Sequence, residues 1–185
     1  MQTDELSRSN DPLLQTFTLK HLTLKNRIMS TSHACGLDEN GFTGDAYQAY
    51  HEEKARGGLA LTMFGGSASV APDSLWPDGQ VNVSTDGIIP LFEQFTAKIH
   101  RHGCALMCQI SHLGRRAECY AGGWLPAIGP SPIRETLHRS FPKAMDRHDI
   151  DRVVKAYGAA ARRCRDGGLD GIETLGSGHL IGQFL

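Results

Sequence analysis

At four places a residue able to do chemistry stands close behind a run that reads as a buried strand. Gln109 closes the apolar run CALMCQI, Gly65, Gly66 and Ser67 follow LALTMF, and Gly176, Ser177, Gly178 and His179 follow LDGIETL. His33 comes shortly after RIMST. In open α/β sheets and (β/α) barrels, ligands bind at the carboxyl ends of parallel strands, so all four places fall where a site is expected. An imidazole titrates near neutrality and can hold or move a proton; its bland reading is a loop histidine satisfied by backbone groups. A lone amide in an apolar strand also has two readings, a cap for a neighbouring loop or a contact to a ligand. His112, Arg115 and Arg116 form a basic cluster that reads as ligand contact or, more commonly, as solvated surface. Nine histidines invite a metal reading, yet the one close pair, His100 and His102, sits at a helix end, and no metal ligand is expected. Cys104 and Cys108 share one strand and read as core.

The elements that must position these residues follow from periodicity. Phe17, Leu19, Leu22, Leu24 and Ile28 alternate around a turn near Lys20-His21, which predicts a hairpin running into a first buried strand over 27–31. After a polar loop, Thr43 or Asp45 is expected to cap a helix over 46–56, supported by Glu52 and Arg56 one turn apart. A second strand over 59–64 leads through a loop containing Trp76 to a helix over 87–102, with Ile88, Leu91, Phe92, Phe95 and Ile99 inward. The third strand spans 104–110, and the stretch 111–146 is too long for an ordinary connection, so it reads as an excursion over a site. From Asp149 to Asp166, Ile150, Val153, Val154, Tyr157, Ala160, Ala161 and Cys164 form one helical face, which Gly167-Gly168 ends before a strand of about six residues. Four parallel strands with three crossover helices fit half a (β/α) barrel and a small doubly wound sheet equally well.

Composition narrows the function. Nineteen basic against twenty acidic residues leave a formal charge of −1, so no electrostatic case exists for a nucleic-acid or membrane partner, and a small-molecule substrate is expected. Five cysteines without a CxxC pair suit a reducing, cytoplasmic compartment. Residues 1–12 read as a flexible leader before a domain over 13–185, with no signal-peptide pattern and no apolar run of about 18 residues.

Several spaced motifs then carry a likeness. LKNRIMSTSHACG, CQISHLGRRAE, AIGPSPI and DIDRVVKAYGAAARRCRDGGLDGIETLGSGHLIGQFL together resemble the old yellow enzyme family of FMN-dependent oxidoreductases, over about residues 13–185. The branch most similar holds trimethylamine dehydrogenase and N-methylproline (stachydrine-type) demethylases. The resemblance implies the first four strands of an FMN-holding TIM (β/α)8 barrel with an N-terminal hairpin, hence an N-terminal part of a longer protein. It also implies that Thr31, Ser32, His33 and Ala34 lie beside the flavin after the first strand, Gly66 and Ser67 after the second, and that Gln109 bonds the pyrimidine edge. The phosphate clamp of the family comes from later strands, and the resemblance implies that any iron–sulfur cluster and NAD(P)H or FAD of full-length multidomain members are held by further parts absent here. Where many ene-reducing members carry a proton-donating tyrosine, this chain has His179. Their carbonyl-gripping pair corresponds to Thr174 and Ser177. The cysteine that some amine dehydrogenases bond to flavin falls at Ala34, with Cys35 one place off, so dissociable FMN is expected.

These readings imply oxidative N-demethylation of a small N-methylated amine, with His33 and His179 lining the substrate face as catalytic residues. Reduction of an activated C=C bond, as in an enone, is the related alternative. A non-catalytic truncated fragment and a small metal-dependent hydrolase are the other classes. A homo-oligomer is compatible with all of them.

Overall fold

The computed structural model describes residues 10–76, 79–117, 125–137 and 139–185, so most of the expected leader lies outside the described residues. The chain opens on the expected hairpin, β1 (Phe17–Leu19) against β2 (Leu22–Leu24), turning at Lys20 with φ 51°. Leu24 packs on Ala60, Leu61 and Met63, so the hairpin covers the amino ends of the strands that follow.

Those strands are β3 (Met29–Ser30), β4 (Leu61–Ser69), β5 (Ala105–Ser111) and β8 (Gly171–Thr174), all parallel and neighbours in chain order. Order without reversal has no switch point, which removes the doubly wound alternative and leaves the stepwise progression of a barrel wall. The crossovers are α1 (Asp45–Arg56), α2 (Ile89–His100) and α3 (Arg147–Asp166). The core between sheet and helices is Phe64, Phe92, Phe95, Ile88, Ile99, Leu106, Ile110, Ala160 and Cys164, each 1% exposed or less. Parallel strands covered on both faces must be apolar throughout, and β5 obeys this except at Gln109.

Several local expectations are corrected. The first strand is a two-residue edge, with Met29 47% exposed rather than buried, since only β4 pairs with it. Neither Thr43 nor Asp45 caps α1; Gly44 is its N-cap, without a side-chain bond. Arg56 pairs with Glu53 at 2.5 Å, because Glu52 turns instead to Arg101 and His102. The helix expected over 87–102 begins as a 3-10 turn, Asp86–Ile88. Helix α3 starts earlier than Asp149, at a capping box in which the Asp146 side chain accepts from Asp149 N–H and the Asp149 side chain accepts from Asp146 N–H. Val154 on its apolar face is 65% exposed and borders an uncovered apolar groove of about 460 Å³ with Ile150, Leu180 and Phe184. The final strand is four residues long. Short β6 (Ile128–Gly129) and β7 (Lys143–Ala144) pair within the excursion, and α4 (Leu180–Phe184) closes the described chain.

Two buried polar groups fasten helices to this frame. His51 of α1, fully buried, bonds Thr62 Oγ1 through Nδ1 at 3.2 Å and packs on Tyr47 and Phe95, while its Nε2 has no partner among the described residues. Burial, with Lys54 and His33 nearby, pushes its pKa down to about 3. Asp73, in the turn after β4, faces His112 Nε2 at 3.1 Å and takes a two-pronged bond from Arg152 of α3 at 3.1 and 2.6 Å. Burial alone would raise the Asp73 pKa; the bonds from His112 and Arg152 outweigh it and hold the carboxyl well below its ordinary range.

Both groups bind protons more readily when unfolded, so each loses its stabilising share as pH falls. For His51 the loss runs from about pH 6.5 downward at up to about 1.4 kcal/mol per pH unit. Chemical denaturation at pH 7 and pH 5 should show a drop for the wild type that His51→Phe largely removes; equal drops in both proteins would contradict the assignment. For Asp73 the loss lies below about pH 4. Asp73→Ala should cost about 3 kcal/mol at pH 7, at the low end for breaking a buried pair because the Arg152 side chain can still reach water. A change under about 1 kcal/mol in the unfolding midpoint analysis would show the cluster to be dispensable.

Candidate functional site

Strand β4 departs from regular pairing at one point. Phe64 pairs with Cys108 and Ala68 with Ile110, so Gly65, Gly66 and Ser67 face the single residue Gln109. All three have positive φ, 102°, 51° and 81°. That region is open to glycine and uncommon for any other residue, Ser67 included. The bulge re-aims the chain at the carboxyl end of the sheet, as bulges beside sites do. It presses Gly66 onto the loop after β3 so closely that a Cβ there would stand 2.1 Å from Ala34 N and 2.2 Å from His33 C.

Two glutamines supply the bonds that the broken ladder lacks. Gln109 Oε1 accepts from Ser67 N–H at 3.0 Å, and Gln80 Nε2 donates to Ser67 O at 2.5 Å. Gln80 Oε1 accepts in turn from Trp76 N–H at 2.6 Å, while Gln109 Nε2 donates to Glu173 of β8 at 2.5 Å. Gln109 therefore caps a neighbouring loop, its bland reading. An amide has two N–H groups and two lone pairs, so one of each is left among the described residues.

Above the bulge lies a cleft of about 270 Å³. Ala34, Gly66 and Ser67 form one side of it, with Gly79, Gln80 and Trp76 beside them; Leu113, Arg116 and His179 form the other. His179 Nδ1 lies 2.7 Å from Ser111 Oγ, tying the loop after β8 to the end of β5. The loop after β5 is built inward. His112 is fully buried and not solvated surface; its Nδ1 accepts from Gly114 N–H at 3.0 Å, and its own N–H donates to Tyr157 OH at 2.9 Å. Burial pushes the Tyr157 phenol up. Gln183 of α4 clamps the same loop, accepting from Arg115 N–H and donating to Leu113 O, both at 3.0 Å.

Ala34, Gly66, Ser67 and His179 thus meet in one cleft, with Gln109 directly below the bulge. His33 stands apart from that lining, its Nε2 2.8 Å from Tyr50 OH and its ring 5.6 Å from the Tyr50 ring. Thr31 and Ser32 are likewise outside the lining, as is Cys35, a free thiol. Thr174 borders the apolar groove instead, and Ser177 is exposed. Trp76, Gln80 and Arg116 were not singled out as site residues from the sequence. Arg116 lay in view within a basic cluster, but Gln80 sits 29 positions before Gln109 in an irregular loop with no signal of its own. Among the described residues no helix is long and apolar enough to cross a membrane.

Known proteins match this arrangement. The chain is 62% identical over 177 residues to the multifunctional alkene reductase/demethylase OYE of Caballeronia cordobensis, covering 96% of this chain and 26% of that protein. It is 46% identical over 175 residues to the "Probable N-methylproline demethylase" of Rhizobium meliloti (strain 1021), covering 95% and 26%. It therefore spans about a quarter of the length of these relatives. The crystal structure of Old Yellow Enzyme from Pichia sp. AKU4542 superposes with a TM-score of 0.87 at 21% identity, over 95% of this chain and 48% of that one, so the fold is part of a TIM (β/α)8 barrel. The profile of the NADH:flavin oxidoreductase / NADH oxidase family matches residues 12–185, and the chain belongs to that family.

Proposed function

We propose that this chain is the flavin-ring-holding part of an FMN-dependent oxidoreductase that demethylates a small N-methylated amine. The observation that carries the reading is the cleft over the β4 bulge, at the carboxyl ends of parallel strands, in a chain of this family. A planar ring needs a floor without large side chains and a polar edge. Ala34, Gly66 and Ser67 supply the floor, and the unspent N–H and lone pair of Gln109 supply the edge, so the residues present fit the group. When bound, FMN supplies the two-electron acceptor for a hydride leaving an N-methyl carbon, and water hydrolyses the resulting substrate iminium to formaldehyde and the secondary amine.

The residues of this chain orient and exclude. The glutamine-held bulge fixes the floor, which limits the approach of the substrate to one side. His179, anchored to Ser111 through Nδ1, is the proposed proton-handling group of the substrate side, able to take a proton from an ammonium so that the nitrogen lone pair can assist the hydride. Thr31, Ser32 and His33 are proposed to flank the flavin from the loop after β3, outside the cleft. Reduction of an activated alkene is the second reading, favoured by the double description of the relative from Caballeronia cordobensis. Any iron–sulfur, NAD(P)H or FAD sites are proposed to fall outside the quarter of the relatives' length that this chain spans.

Gln109→Ala should weaken FMN binding about ten- to a hundredfold, the cost of unpairing one or two buried polar groups. The control is Gln80→Ala, which disturbs the bulge from its other side without touching the proposed ring edge. Fluorescence titration with FMN giving equal losses in both variants would reduce Gln109 to a brace. Turnover separates the two reactions: formaldehyde should be released from an N-methyl amine with an artificial electron acceptor, and His179→Phe should slow it at least tenfold with the flavin spectrum intact. Consumption of an enone under reducing conditions without any formaldehyde release would transfer the chain to the alkene-reducing reading.

A further inference from the structure

Arg116 is placed differently from the arginines that fasten the helices of the central fold. Arg101, Arg152, Arg162 and Arg163 each pair with a carboxylate within 3.1 Å. The Arg116 guanidinium has no hydrogen-bond or ion-pair partner among the described residues and lines the cleft instead. Its Nη1 lies 3.2 Å from where a Cβ on Gly178 would stand, so it spans from the loop after β5 to the loop after β8, beside His179. Gly178 has φ 68°, a conformation that suits glycine, and the absent side chain is what gives the guanidinium room. The loop that carries Arg116 is held at Leu113, Gly114 and Arg115 by Gln183 and His112, so the charge is presented from a fixed base. No carboxylate is among the described lining residues.

A half-buried guanidinium that is unpaired among the described residues, facing a cleft whose described lining holds no acid, is a site for an anion, and its fork matches a carboxylate in two-pronged geometry. We infer that Arg116 is the residue that anchors a substrate carboxylate, such as that of an N-methylated amino acid, and so sets the preference over a simple amine. This rests on the demethylase reading for the amine half; the carboxylate half stands on the geometry of Arg116 alone. The same chemistry could hold a cofactor phosphate. In barrels of this kind phosphates sit at the loops after the seventh and eighth strands, whereas Arg116 follows the third strand of this sheet.

The test compares N-methylproline with N-methylpyrrolidine, which lacks only the carboxylate. Binding is read by calorimetry on the protein with and without FMN and by the change in the flavin visible spectrum, none of which requires turnover. N-methylproline should bind at least tenfold more tightly. Arg116→Gln should weaken it about 10- to 100-fold while leaving N-methylpyrrolidine and FMN affinity unchanged, and Arg116→Lys should restore part of the loss. A missing preference for the carboxylate, or one that survives Arg116→Gln, overturns the inference. Loss of FMN in Arg116→Gln assigns the charge to a phosphate and overturns it too. If the Arg116-dependent preference holds but neither compound releases formaldehyde, the demethylase reading falls and the anchor stands, as for a substrate such as an enoate.

Discussion

Three residues of one strand facing one residue of the next is the constraint from which the site follows. A parallel ladder cannot absorb two extra residues without losing backbone bonds, and buried backbone groups left unpaired are costly. Gln109 and Gln80 take up the N–H and the C=O of Ser67, so two side chains do the work of a missing strand segment. Once that is in place, much else is fixed. Gly66 must be glycine because the loop after β3 lies against it, Ala34 is brought to the cleft, and Trp76 is tied through Gln80 to the same point.

The opposite wall is built by a different physical means. The bulge is braced by neutral amides alone, whereas the loop after β5 adds ionic and aromatic groups to one amide: His112 between Asp73 and Gly114, Tyr157 on the His112 N–H, and Gln183 reaching back from α4. Each wall is therefore braced by bonds of the chain itself, which favours orienting a substrate rather than merely admitting it.

Much of the frame was legible in the sequence because its signals are local. The hairpin, three helices and four strands announce themselves through alternation, a 3.6-residue period and double glycines, and the strand ends drew attention to Gly66, Ser67, Gln109 and His179. What could not be read depends on distance. His112 looked like part of a solvated basic cluster because its partners Asp73 and Tyr157 lie 39 and 45 residues away. Val154 fits the apolar period of α3, yet period says nothing of what stands opposite, and it borders an open groove. Gln109 was read as a choice between brace and ligand contact; its amide has enough valences for both roles.

The Asp73 cluster also bears on the order in which the protein assembles. Its carboxylate meets a histidine 39 positions away and an arginine 79 positions away, so each bond forms only when a long loop of its own has closed. The first loop closes together with the β4–β5 pairing, whose partners lie 42 to 44 positions apart, whereas the second waits on the docking of α3. The sheet can therefore exist before the cluster is complete, and Arg152 joins it only when α3 has docked. In a folding experiment the completed cluster would be a late structure on an early scaffold.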